Sequence, residues 1–588
     1  MEKRTVLAIV LSTIVFLGFQ VLNTKLYPPN ETVTENNTAI IETNEITIEE
    51  DKIVNNTIIS IEDESNYKEE LINLDTDVFN VTFNTKGANI SSLKLKNYKV
   101  DVDRDEEVDL VLQEIDNNSL LDITLSDTVF NKVFSYEKLD DYTFQFKRTF
   151  TLNKNNGNQS SPITLIKTYK FLPDEYMFEL KVTIKNSEDT IIPLNSDGSL
   201  YSLNVTKQIG PNFEKLDRRE DYRKFSVFTD GKRDELKVKR DFLTFDEKYE
   251  WAAIEGKFFT LAIIPDNNNP TIDYSTTNIE GKISSELNLN RSNLNNSYIE
   301  DTYKIYLGPK DKSILEKYNR SDKNGWNLKD TNINKIINFW FLGMFFMWVL
   351  ELINALINNF GISIIVLTIL IKIILYPFTK KSFESMGKMQ TIQPEIKLLQ
   401  DKYKDDPAKL NAATAELYKK EGVNPLGGCL PMLLQMPIFI TFYSLFNEYI
   451  GLRGSTFIPG WIIDLSKPEY IFQFGFELPI LGWDALRLLP IIYVATQLIS
   501  MKFTQNNQKG SPAGGASAMQ TKMMTLGMPI MFFFIMYNQS SGLLLYWITQ
   551  NVISSAQQIQ SKKKSDKEHD LILKEKLEKK NKKKGRKK

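Results

Sequence analysis

The run GISIIVLTILIKIILYPF, Gly361 to Phe378, is apolar throughout its length except for a single charge, Lys372. At helical rise it covers about 27 Å, close to the ~30 Å of a bilayer core. Thr368, Lys372 and Tyr376 recur four apart, so a helix places them on one face, with Ile364 and Ile371 expected to turn elsewhere. A lysine near mid-membrane costs about 2.5–3.5 kcal/mol on insertion scales. It either faces a wet or protein-lined interior or snorkels to headgroups roughly 10 Å away.

The same reading divides the rest of the chain. Lys3 and Arg4 precede an apolar run, Val6 to Leu22, and Asn23-Thr24-Lys25 offers no small-x-small cleavage site, which predicts an uncleaved anchor over 1–24. Residues 25–70 are rich in Asn, Thr and Glu and predict a flexible external linker. Over 71–330 the period shifts to two: VFNVTFNT (Val78–Thr85), TFQFKRTFTL (Thr143–Leu152), LIKTYKFL (Leu165–Leu172), MFELKVTIKN (Met177–Asn186) and the strand-rich Trp251–Pro265. Turn signals at Lys86-Gly87 and Pro173-Asp174 separate them, predicting a large antiparallel β-sandwich. Residues 331–358 are greasy but interrupted by Asn338, Glu351 and Asn354, with Trp340 and Trp348 suited to a headgroup belt, and predict an interfacial amphipathic helix.

Beyond the Lys372 span (359–378), an apolar stripe of Phe383, Met386, Met389, Ile392, Ile396, Leu399 and Tyr403 predicts the first arm of a helical hairpin over 379–424. Asp405-Asp406-Pro407 marks its turn. Spans are then predicted at 425–449, 485–503, 523–538 and 541–560, joined by loops at 450–484 and 504–522, with a Lys-rich tail at 561–588. The run Met523–Tyr537 is short for a crossing, implying local thinning. Charge sets the topology. Lys380, Lys381, the loop 504–522 and the tail are basic and belong in the cytoplasm, while 450–484 is acidic and belongs outside with the β domain. Both termini are then cytoplasmic.

Composition narrows the chemistry. The 588 residues hold one cysteine, Cys429, and one histidine, His569, so there is no internal disulfide, and a Cys/His zinc site or a Ser-His-Asp triad is not expected. There is no phosphate loop or dinucleotide fingerprint, and nothing points to a catalytic residue, metal or cofactor. The Lys-rich tail suits an anionic partner, RNA or lipid headgroups.

The last span is unusually polar, with Trp547, Thr549, Gln550, Asn551, Ser554 and Ser555, while Gln435, Thr496 and Gln497 interrupt two others. These groups could satisfy one another pairwise. With no Asp or Glu deep in the five spans to pair with Lys372, they also fit an open, positive, hydrated notch.

NPLGGCLPMLLQMPIF (Asn424–Phe439), SGLLLYW (Ser541–Trp547) and YPFTKKSFESMGKMQTIQPEI (Tyr376–Ile396) closely resemble the bacterial membrane protein insertases of the YidC/Oxa/Alb family. The resemblance runs through the chain in order and is most specific over 361–560. It implies a polytopic α-helical protein of the inner membrane, with a five-helix core, an additional N-terminal anchor and a large periplasmic domain. It also implies a positive hydrophilic groove, usually centred on Arg, where Lys372 stands here. Lys keeps the charge but lacks Arg's bidentate fork. Thr368 matches a substrate-contact position, Trp547 stands where Tyr is common, and Gln435, Gln550 and Ser554 are the remaining groove candidates. Met432, Met436, Phe439, Met528 and Phe532 fall on the lipid-facing slide. Partners implied are nascent membrane proteins, Sec translocase components, a ribosome held by the tail, and membrane lipids, with no DNA. Insertion, folding and assembly of membrane proteins without nucleotide hydrolysis is the implied activity. Two other classes are a secondary transporter, which would want inverted repeats, and a structural assembly factor, for which Lys372 would be dispensable.

Overall fold

The computed structural model describes residues 57–563 apart from 61–66, 113–118, 154–161, 187–193, 207–208, 211–223, 237–241, 267–269, 280–281, 293–296, 405, 424–429, 479–480, 482, 507–526 and 562. The expected anchor, most of the loop 504–522, Cys429 and nearly all of the Lys-rich tail lie outside the described residues. The chain divides into two compact units, Met1–Ile53 and Val54–Lys588, and every described residue belongs to the second.

Alternation builds the β domain. In the strand Ile163–Lys170, residues Ile163, Leu165, Lys167 and Tyr169 are buried while the residues between them are half-exposed. Among the described residues three antiparallel sheets of ten, six and four strands result, and they share one apolar core. The central run of the largest orders Thr143–Asn153, Ile163–Lys170, Met177–Asn186, Tyr298–Pro309, Phe259–Pro265 and Trp251–Glu255. Trp251–Pro265 is thus two strands, turned at Gly256, whose amide donates back to Phe259 O at 2.9 Å. The first strand, Thr57–Ser60, lies inside the expected linker. Its β-branched Thr-Ile-Ile sequence extends the sheet edge against Phe150–Asn153, so sheet pairing begins before the expected domain boundary.

A short helix α1, Lys312–Lys317, closes the domain, capped by Asp311, whose carboxylate accepts from the Ser313 and Ile314 amides. Ile333 and Ile336 are buried in the same core with Ile337 packed against it, so residues 333–337 of the expected interfacial helix pack with the β domain, whereas Phe339 already packs on the helical core. Helix α2, Phe341–Ile357, begins only at Phe341 and leaves Trp340, Phe345, Trp348 and Leu352 exposed.

Helix α3, Phe360–Thr391, carries Lys372 and runs on past Phe378 into the hairpin, since Pro377 removes one helical donor without ending the helix. Ile364, Thr368, Ile371 and Lys372 all lie on its buried face. The expectation that Ile364 and Ile371 turn elsewhere fails because 364, 368 and 372 are themselves i, i+4 neighbours. The hairpin follows as α4, Gln393–Lys402, and α5, Pro407–Glu421, with Asp406 capping the Lys409 amide and Ile392, Ile396, Leu417 and Val423 forming a small core of their own.

Then come α6, Leu430–Glu448; α7, Leu489–Asn506; α8, Met528–Met536; and α9, residues 541–561. Residues 485–486, expected to open a span, instead form a two-residue strand paired with Phe472–Gln473. Among the described residues one helix segment, Phe360–Ser382, is long and apolar enough by itself to cross a membrane.

The segment after α6 ties the helices to the β domain. Arg453 donates to Lys99 O at 2.7 Å and Val100 O at 3.2 Å, and Lys467 pairs with Asp101 at 3.1 Å. The Lys467 and Leu465 carbonyls in turn accept from the Ser541 and Gly542 amides at the start of α9. Asn359, at the start of α3, donates to Phe457 O at 3.3 Å. The β domain, residues 450–486 and the starts of α3 and α9 therefore share one side of the helical region, with the hairpin at the far end of α3.

Candidate functional site

Ser541 is held on the β-domain side, and Ser554 lies thirteen residues further along α9, about 20 Å at helical rise. There the Lys372 Nζ of α3 donates to Ser554 Oγ at 2.8 Å. Lys372 is 7% exposed, and among the described residues no carboxylate pairs with it. The ammonium thus lies inside the helical region and not at its surface. It is enclosed, and Ser554 is the one hydrogen-bond partner among the described residues. An ammonium has three donors, so two remain for another acceptor.

The other polar groups divide into two kinds. Several hydroxyls turn back on their own helix: Thr368 Oγ1 donates to Ile364 O at 2.6 Å, Thr549 Oγ1 to Leu545 O at 2.8 Å, and Ser555 Oγ to Asn551 O at 2.8 Å. Asn551 instead reaches between helices, donating to Thr496 Oγ1 at 3.4 Å. Gln550 is buried and Gln435 half-buried, and no hydrogen bond joins either to Lys372. The Trp547 ring packs on Phe439 at 5.3 Å and Tyr493 at 6.3 Å, while its buried Nε1 has no partner among the described residues. Pairwise satisfaction therefore explains part of the polar stripe but leaves the further donors of Lys372 and the Trp547 Nε1 without a partner among the described residues.

Of the expected slide residues, Met436 and Met528 are exposed, while Phe439 and Phe532 are half-buried. The Met432 side chain lies outside the described residues. Sequence reasoning missed Ile440 and Phe534, at 59% and 50% exposed. Their signal was present, since 436/440 and 530/534 are helical neighbours four apart. Also missed was Arg453, whose two carbonyl contacts lie more than 350 residues away in the chain.

Comparison with known proteins gives these features a family. Residues 352–568 match the model of the 60Kd inner membrane protein family, and residues 71–349 match the YidC periplasmic domain. The chain is 35% identical over 584 residues to a membrane protein insertase YidC of Treponema denticola, covering 95% of this chain and 99% of that one. It is 30% identical to the insertase YidC of Treponema pallidum, covering 96% of this chain and 100% of the relative. A galactose mutarotase related enzyme from Lactobacillus acidophilus is similar over 40% of this chain and 97% of its own, at 10% identity and TM-score 0.27, too slight a likeness to carry an argument. With both halves matched and relatives aligned along almost its whole length, the chain belongs to the YidC family of membrane protein insertases.

Proposed function

We propose that the protein transfers nascent helices into the inner membrane by drawing their polar external tails to Lys372, without nucleotide. The observation that carries this reading is an enclosed lysine with one hydroxyl partner and no carboxylate among the described residues. A substrate helix of about 20 residues gains roughly 5–10 kcal/mol at 0.3–0.6 kcal/mol per large apolar residue. Driving force is therefore sufficient, and the slow step is moving a polar, often acidic, tail across the hydrocarbon. A carboxylate arriving beside Lys372 takes the donors that Ser554 leaves free, and its charge is compensated while it is away from water. Thr368, Gln435, Gln550 and Ser554 supply further polar partners, and Trp547 lines the same side of α9.

The apolar part of the substrate would follow the exposed face formed by Met436, Ile440, Met528 and Phe534, with Met432, Phe439 and Phe532 along the same slide. The five-span core, cytoplasmic termini, hairpin guidance, ribosome capture by the tail and cooperation with the Sec translocase belong to the same proposal. Support for the sidedness comes from residues 450–486 gripping the β domain while the hairpin lies at the other end of α3.

The test is insertion of a single-span substrate with an acidic external tail, in cells depleted of the native protein. Lys372→Ala should stall the tail, while Lys372→Arg and deletion of residues 71–319 should insert it. Normal insertion by Lys372→Ala would reduce Lys372 to a structural residue.

A further inference from the structure

The run Met523–Tyr537 reaches about 22 Å as a helix, some 8 Å short of a ~30 Å bilayer core. At its external end sits the small hairpin of Phe472–Gln473 and Ala485–Leu486. We propose that this hairpin rests in the outer-leaflet interface of the bilayer and extends the lipid-facing surface of the short span beyond Tyr537. This inference goes beyond the insertion reading and stands independently of Lys372.

Three observations carry it. First, the hairpin is fixed to the end of α8. The Trp483 ring stacks on Tyr537 at 3.7 Å and on Phe534 at 5.7 Å, and Tyr537 Oη donates to Ala485 O at 2.8 Å. Arg487 adds a bond to Asn538 Oδ1 at 3.0 Å and an ion pair to Asp484 at 2.9 Å, so the charged groups at this base are paired with each other. Secondly, Ile471, Phe472, Phe476, Leu481 and Leu486 are exposed, between 43% and 62%. Five large apolar side chains turned outward within sixteen residues form a patch rather than scattered singles. Thirdly, the patch continues the exposed face of α8, where Ile530 and Phe534 are 48% and 50% exposed.

The depth follows from the backbone. The two arms bond each other, with the Ile471, Phe474 and Leu478 amides donating across to Leu486, Asp484 and Trp483, but a two-stranded ribbon still has two open edges, which hydrocarbon does not tolerate and the hydrated headgroup layer does. Trp and Tyr side chains favour that layer as well, and Tyr470 and Trp483 flank the patch. The hairpin therefore adds apolar height at one end of α8, and less thinning of the bilayer is needed there.

The sole native cysteine, Cys429, makes the test direct. In the full chain carrying Cys429→Ser, an environment-sensitive dye is attached at Phe472→Cys or, separately, at Leu481→Cys. Leu139→Cys, on the exposed β-domain strand Ser135–Asp140, serves as the aqueous control. The proteins are reconstituted in vesicles of phosphatidylethanolamine and phosphatidylglycerol. The expected result is a blue-shifted emission at 472 and 481 relative to 139, quenched more by lipids nitroxide-labelled near the headgroup than by those labelled near the chain end. Emission and iodide quenching matching the control would overturn the proposal. So would labels shielded from both iodide and lipid nitroxides, which would assign the patch to a protein contact.

Discussion

The β domain and the helical region each bury a lysine, and they hold it in opposite ways. In the β domain, Lys167 is fully buried, and its Nζ donates to two backbone carbonyls, Leu121 O at 2.6 Å and Gly87 O at 3.2 Å. Both carbonyls belong to residues with positive φ, 67° at Leu121 and 78° at Gly87, so the side chain ties down two turns that the chain would not otherwise favour. In the helical region, Lys372 meets one hydroxyl, on a different helix and 182 residues away. Backbone carbonyls cannot leave, whereas a serine hydroxyl can rotate to another partner. The first arrangement fixes a fold; the second is the arrangement on which the proposed capture of a carboxylate rests. Burial of a lysine is therefore not by itself a sign of function. What its donors meet is the distinguishing feature.

The largest effect should come from Lys167→Ala, which leaves a cavity and two carbonyls without their donor, a cost of about 3–5 kcal/mol. Hydrogen exchange of the strand Ile163–Lys170 in the full chain should quicken accordingly, while Lys372→Ala should leave it unchanged.

A pH dependence follows from the same residue. Burial lowers the Lys167 amine to about 7, opposed in part by the charge of Asp122. An unfolded lysine titrates near 10.4, so between about pH 7 and 10 the unfolded chain holds a proton that the folded domain has released. Unfolding then takes up a proton, and β-domain stability should rise with pH across that window and level off below about 7. The change should amount to at most a few kcal/mol. Lys167→Met should flatten the slope, and an unchanged slope would assign it to other groups.

A smaller effect is expected at the joint between the two regions. Arg453→Ala removes two hydrogen bonds to Lys99 and Val100, about 2–3 kcal/mol at this contact. Spin labels on the β domain and on α9 should then report a broadened distance distribution. The smallest effect should be Ser554→Ala, worth about 1 kcal/mol, because it removes one hydroxyl partner and leaves the Lys372 charge in place. Insertion of an acidic tail should slow by no more than about fivefold.

The β domain was legible because its code is local. Alternation placed Met177–Asn186 without error and Thr143–Asn153 to within a residue, since each strand's pattern is set by neighbours two positions away. The edge strand Thr57–Ser60 was not, because its four residues gain meaning only from a partner ninety residues on. In the helical region hydropathy alone marked Lys372 as the one charge in an apolar span, but it did not mark its partner. Ser554 is one of several polar residues on α9, and choosing among them requires the rotation of α9 against α3, which no local period encodes. The continuation of α3 past Phe378 was missed for a related reason: membrane length suggested a boundary where the backbone has none.

The most direct measurement of the central claim is the dependence of insertion on the charge of the substrate tail. One single-span substrate would carry either an acidic or an uncharged external tail of equal length, and insertion would be compared between the native protein and Lys372→Ala. The account predicts that Lys372→Ala loses the acidic tail selectively and keeps the uncharged one near the native rate. Equal loss of both tails would make Lys372 a packing residue like Lys167, and no loss of either would remove it from the mechanism altogether.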